Sequence, residues 1–165
     1  MPTALRLVQR RIVELGRCSG AAGQALALSR QLAMTTFRTP EELAERFVDV
    51  PQYRDGGLTC EVGDYLAAVG EKFVARCDAD RGADRFLALS ESIDTHLIDP
   101  TQITTPTTLV AVRSDRLIRL EQLRELASRL GGEAQLHEID SIYGHDAFLK
   151  EAPRIGQILT TALTI

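Results

Sequence analysis

Thr107-Thr-Leu-Val-Ala-Val112, Ser114-Asp115, a helical pattern over 120–130, Ala134-Gln-Leu-His-Glu-Ile139 and Gly144-His145-Asp146 follow one another in the last third of the chain. Their order decides the fold. The first and fourth segments are short β-rich runs, the first bounded by Pro106 and by a turn at Ser114. Between them the spacing predicts a helix over 120–130, stopped by Gly131-Gly132. Strand, helix and strand of this size predict a right-handed parallel unit. A parallel pair needs neighbours on its edges and helices on both faces, so two strands alone imply further strands encoded upstream.

Each predicted strand is followed by a residue able to carry chemistry, Asp115 after the first and His145 after the second. The carboxyl ends of strands are where α/β folds display functional groups. Taken locally, Asp115 could equally stabilise a turn or cap the next helix, and His145 could be a helix-capping surface histidine. Together they stand in the order, acid then histidine, in which an α/β-hydrolase fold carries the last two members of its catalytic triad. The Gly-x-Ser-x-Gly elbow that precedes them in that fold is absent between Met1 and Asp115. His96, at a helix end, and His137, within a strand, have no comparable setting.

Upstream the pattern is helical. Leu5, Val8, Ile12 and Leu15 predict an amphipathic helix over 4–15 with Gly16 as a left-handed C-cap. An Ala- and Leu-rich helix follows over 22–36, and Thr39-Pro40-Glu41-Glu42 reads as a capping box with proline at the first helical position. That places Arg38 at a helix-to-helix corner. The stretch 48–59, with Pro51 and Gly56-Gly57, reads as a loop. A helix over 61–77 carries Val62, Tyr65, Leu66, Val69 and Phe73 on one face, and another over 84–94 carries Phe86, Leu89 and Ile93. The first half is thus expected to be helical throughout, without internal repeats or low-complexity segments.

With 44% hydrophobic and 25% charged residues, the 165-residue chain has the composition of a globular domain with a core. Its net charge of -4 and lack of a Lys/Arg run argue against a nucleic-acid surface. Cys18, Cys60 and Cys77 form no C-x-x-C pair and no metal-ligand spacing with the three histidines, so no metal is expected and a reduced, cytoplasmic setting fits. Charges interrupt the N-terminal segment where a signal peptide would be apolar, and no run of about 20 apolar residues predicts a membrane span.

Four blocks carry a more specific resemblance: Leu32-Ala-Met-Thr-Thr-Phe-Arg38-Thr-Pro-Glu-Glu42, Gly70-Glu-Lys-Phe-Val-Ala-Arg76-Cys-Asp78-Ala, Ser114-Asp-Arg-Leu117 and Tyr143-Gly-His145-Asp-Ala-Phe148. In this order the chain resembles the homoserine O-acyltransferase family of α/β-hydrolases. The resemblance implies a partial α/β-hydrolase fold, of α/β class, in two regions. Residues 1–98 would be the end of the core and a helical lid, and 99–165 the last two parallel strands with their helices. It departs at Leu117-Ile-Arg119-Leu120, where relatives often have a proline after the acid, and at Arg81-Gly82-Ala83-Asp84 between two lid helices.

The resemblance also implies a ping-pong reaction through an acyl-serine, moving acetyl or succinyl from coenzyme A to the hydroxyl of homoserine, in methionine synthesis. Acyl-coenzyme A is a co-substrate there, and neither metal nor redox cofactor is needed. Asp115 and His145 would be the catalytic acid and base. His145 would take the proton of the serine hydroxyl, give it to the departing thiolate and act again on the acceptor hydroxyl, while Asp115 would fix its tautomer and stabilise the imidazolium. Arg38 and Asp146 match positions that hold the acceptor amino acid, a cation for its carboxylate and an anion for its ammonium. A homodimer through lid helices and a dependence on the N-terminal catalytic half, without which the chain would be inactive, are further implications. The alternatives are a serine O-acyltransferase, an esterase-like fragment in which water attacks the acyl-enzyme, and a truncated, non-catalytic association module.

Overall fold

The computed structural model describes residues 2–48, 50–54 and 56–163, which form two compact units. One comprises Met1–Thr35 with Leu43–His96, and the other Thr36–Glu42 with Leu97–Ile165. The stretch Thr36–Glu42 thus groups with the strands of the C-terminal third rather than with the helices flanking it in sequence.

The first unit contains α1 (Pro2–Cys18), most of α2 (Ala22–Phe37), the end of α3 (Pro40–Arg46), a hairpin of β1 (Gln52–Arg54) and β2 (Gly57–Thr59), α4 (Glu61–Val74) and α5 (Ala79–Thr95). Its core is Val13, Ala22, Leu26 and Ala83, lined by Val74, Ala79, Phe86 and Leu87. Small residues let these helices approach closely: a β-carbon at Gly70 of α4 would lie 2.7 Å from the Ala27 carbonyl oxygen of α2.

Three details differ from the sequence expectation. Helix α1 runs through Gly16 to Cys18, and the left-handed backbone falls at Gly20, with φ 71°. Its buried stripe holds Gln9 and Val13, leaving Val8 and Leu15 47% and 72% exposed. Burying the polar Gln9 is tolerated because its side-chain amide donates to the Ser29 carbonyl at 3.0 Å. Helix α5 begins at Ala79 rather than near 84, since the Asp78 carboxylate caps it by accepting from the Arg81 N–H at 2.9 Å. The stretch 48–59 is no simple loop, for β1 and β2 pair antiparallel with Tyr53 opposite Leu58. Strands this short give no alternation to read.

In the second unit β3 (Thr107–Val112) and β4 (Ala134–Ile139) pair in parallel, Thr107 opposite Ala134 through Val112 opposite Ile139. Helix α6 (Leu120–Arg129) connects them, and α7 (Ala147–Lys150) and α8 (Ala152–Leu163) follow. Val112, Ile139 and Ala147 are buried with Val110, Tyr143, Ile155 and Ile158 against them. This cluster puts the carboxyl ends of both strands, and the turns after them, beside the start of α7. A forked ion pair from Arg124 of α6 to Glu138 of β4, at 2.7 and 2.9 Å, braces the crossover helix on the strand it leads to.

Candidate active site

Asp115 leaves β3 in a turn closed by its own N–H, which donates to the Val112 carbonyl at 3.1 Å. One carboxylate oxygen, Oδ1, accepts from the amides of Leu117 and Ile118 at 2.8 and 3.0 Å. The other oxygen, Oδ2, sits 2.8 Å from Nδ1 of His145. Burial pushes the Asp115 carboxyl up, but the hydrogen bonds from His145 and the two amides outweigh it and hold it below the ordinary 3.8. Asp115 is therefore an ionised, acceptor-only partner at neutral pH.

That fixes the histidine's tautomer. Since Oδ2 can only accept, Nδ1 carries the proton and Nε2 keeps its lone pair. The bond to Asp115 raises the His145 pKa above its ordinary 6.5, burial works against this, and the charges of Asp115 and Asp146 add to the rise. Phe37 and Phe148 flank the imidazole with ring centres 5.3 and 6.2 Å away. The side chain stays about one-third exposed, at 32%, so the ring is oriented by these neighbours and partly open to a reacting partner.

The turn holding His145 is seated on Phe37–Thr39. Gly144 has φ 58°, and a β-carbon there would meet both the Phe37 carbonyl oxygen and Thr39 Cγ2 at 3.1 Å. Only glycine fits both the left-handed backbone and the close approach. The single 3-10 turn Gly144–Asp146 then leads into α7. Thr39 completes the seat by donating its hydroxyl to the Ile142 carbonyl.

This docking brings the two expected acceptor residues together. Arg38 and Asp146 are only 8% and 9% exposed, and Arg38 Nε lies 2.9 Å from Asp146 Oδ2. A third member, Glu42, was missed by sequence reasoning. It is 2% exposed, and its Oε1 accepts from Arg38 Nη1 at 2.7 Å. The Thr39 side chain accepts from the Glu42 N–H at 3.1 Å, one half of the predicted capping box. The Glu42 carboxylate reaches Arg38, four residues back, and that i,i+4 spacing was the available signal. His96 follows α5 and His137 lies within β4. Among the described residues no set of three or more His, Cys, Asp or Glu side chains is arranged to hold a metal ion.

An oriented, partly exposed imidazole beside a buried guanidinium and carboxylate suits proton transfer next to a zwitterion. The chain is 48% identical to a homoserine O-succinyltransferase of Xanthomonas campestris over 160 residues, 97% of this chain and 42% of that protein. The proteins it is similar to in sequence include homoserine O-acyltransferases. A homoserine O-acetyltransferase of Mycolicibacterium smegmatis is 30% identical over 157 residues, 88% of this chain and 40% of that protein. The chain thus spans about two fifths of the homoserine O-acyltransferases it matches. No protein-family model matches it.

Solved structures give the fold. MGS-M2, an α/β-hydrolase enzyme from a deep-sea metagenome library of the Medee basin, superposes with a TM-score of 0.66 at 19% identity, over 96% of this chain and 48% of that one. Homoserine O-acetyltransferase from Bacillus anthracis does so with a TM-score of 0.73 at 11% identity, over 91% and 46%. The chain has a partial α/β-hydrolase fold, and Asp115 and His145 stand where the two parallel strands end. Among the described residues no helix is long and apolar enough to cross a membrane.

Proposed function

We propose that this chain supplies the acid, the base and the acceptor-holding residues of a homoserine O-succinyltransferase, whose nucleophilic serine and acyl-coenzyme A pocket lie in sequence the chain does not span. The 2.8 Å contact between Asp115 Oδ2 and His145 Nδ1 carries this reading. The 48% identity to a succinyltransferase, against 30% to an acetyltransferase, favours succinyl as the group moved.

In the first half-reaction His145 Nε2 takes the serine hydroxyl proton as the serine oxygen bonds to the thioester carbonyl carbon. The carbon–sulfur bond breaks, and the proton passes to the coenzyme A sulfur. In the second, Nε2 takes the proton of the homoserine hydroxyl as that oxygen bonds to the acyl carbon; the bond from that carbon to the serine oxygen breaks, and the proton passes to the serine oxygen. Asp115 keeps Nδ1 protonated and stabilises each imidazolium. Arg38 holds the acceptor's carboxylate and Asp146 its ammonium, which aims the hydroxyl at His145. Neither metal nor redox chemistry enters these steps.

The experiment is reconstitution. The chain alone, given succinyl-coenzyme A and homoserine, should give no product. Combined with the part of the Xanthomonas enzyme outside the match, it should form O-succinylhomoserine, and His145→Ala should abolish this. Free succinate as the main product would make the protein a hydrolase, and preference for serine would change the acceptor. Turnover by the chain alone that disappears in His145→Ala would refute the division of labour.

A further inference from the structure

The guanidinium of Arg38 is held by two buried carboxylates, and they hold it differently. Nη1 makes a well-formed hydrogen bond to Glu42 Oε1 at 2.7 Å. Nε lies 2.9 Å from Asp146 Oδ2, yet this contact lacks the alignment of a hydrogen bond. Glu42 sits on the first turn of α3, its backbone fixed by the Thr39 cap, while Asp146 sits on the single 3-10 turn beside His145.

We infer that Glu42 is a positioning residue for the acceptor: it keeps Arg38 in place when a ligand ammonium draws Asp146 away from the guanidinium. The inference rests on the reading that Arg38 and Asp146 hold the acceptor. An amino acid entering between these two must take over the Arg38–Asp146 contact, its ammonium going to the carboxylate and its carboxylate to the guanidinium. Without a second anchor Arg38 would then be a long cationic side chain with four rotatable bonds to order on each binding event. The Glu42 bond leaves the remaining donors of the fork to the ligand.

Glu42 would therefore act on the acceptor through the acceptor's carboxylate, by way of Arg38. The test is binding to the intact chain, by nuclear magnetic resonance titration of Arg38 Nε and the His145 amide, with two ligands. One is L-homoserine. The other, 3-aminopropan-1-ol, has the same ammonium and hydroxyl but no carboxylate. Glu42→Gln, which keeps size and shape, should weaken L-homoserine by about tenfold and leave 3-aminopropan-1-ol unchanged, since a charge-assisted contact is lost for one ligand only. Glu42→Asp, one methylene shorter, should behave like the Gln variant.

Equal weakening of both ligands in Glu42→Gln would mean a merely structural role and overturn the inference, as would unchanged binding of both. A wild-type chain that binds 3-aminopropan-1-ol as tightly as L-homoserine would show that Arg38 does not read the carboxylate. That would overturn the acceptor-site reading first and this inference with it.

Discussion

The Thr39 hydroxyl donates to the Ile142 carbonyl, a side chain to backbone bond spanning 103 positions of sequence, and it also accepts the Glu42 N–H. One buried hydroxyl therefore caps α3 and seats the turn that carries His145. It is also the covalent neighbour of Arg38.

Thr39→Val keeps the shape and removes both bonds. Losing the cap costs about 1 kcal/mol, and an unsatisfied carbonyl at Ile142 a further ~1–3 kcal/mol. Thermal unfolding followed by circular dichroism should show a fall of several degrees. A melting temperature within a degree of wild type would mean that neither bond contributes.

Gly144→Ala should be worse for the site than its size suggests. The left-handed φ of 58° costs a non-glycine residue about 1–2 kcal/mol. The added carbon would also press on Phe37 and Thr39 at 3.1 Å. The outcome expected is a displaced His145, seen as an imidazole midpoint returning towards 6.5 from above. A variant with a wild-type midpoint would show that the turn tolerates the carbon.

Much of this was legible in sequence because it depends on short-range signals. The β-rich run before Asp115, the Gly131-Gly132 stop and the run before His145 each report their own secondary structure, and β3, α6 and β4 lie where they predict. The cap at Thr39 was equally readable, since its partner Glu42 is three residues away. Hidden were relationships between distant segments. Nothing local indicates that Phe37–Thr39 packs under Gly144, and hence that Arg38 pairs with Asp146 across the unit. The rotated face of α1 was hidden for the same reason, because burying Gln9 depends on a carbonyl in another helix.

Within the first unit, Gly70→Ala tests close packing alone. Its β-carbon would come 2.7 Å from the Ala27 carbonyl oxygen, a backbone atom with little freedom to retreat, so α2 and α4 must separate. Overpacking of this kind costs about 1–3 kcal/mol, and chemical denaturation should show it as a lowered midpoint. An unchanged or raised midpoint would mean that the helices are not held this close in solution.

Asp115 and His145 make stability depend on pH with opposite signs. The hydrogen bond to Asp115 raises the His145 pKa above 6.5, so its contribution is complete below 6.5 and is lost as pH rises through the raised value. For Asp115, burial raises the pKa but the hydrogen bonds prevail and lower it below 3.8, so its contribution is present above 3.8 and is lost as pH falls through the lowered value. The stability difference between wild type and Asp115→Asn should thus be largest between pH 3.8 and 6.5. Urea titrations across the range would measure it, and a difference that keeps growing on the alkaline side would reverse the sign assigned to His145.

The most direct test of the central claim, that this chain carries an oriented base with its acid, is the protonation state of His145 itself. Proton–nitrogen correlation spectra of the histidine rings, assigned with His145→Gln, separate it from His96 and His137. The neutral ring should carry its proton on Nδ1 with Nε2 bare and titrate above 6.5, and Asp115→Asn should lower that midpoint and remove the preference for Nδ1. A proton on Nε2 in the neutral ring, or a midpoint that Asp115→Asn leaves unmoved, would contradict the account.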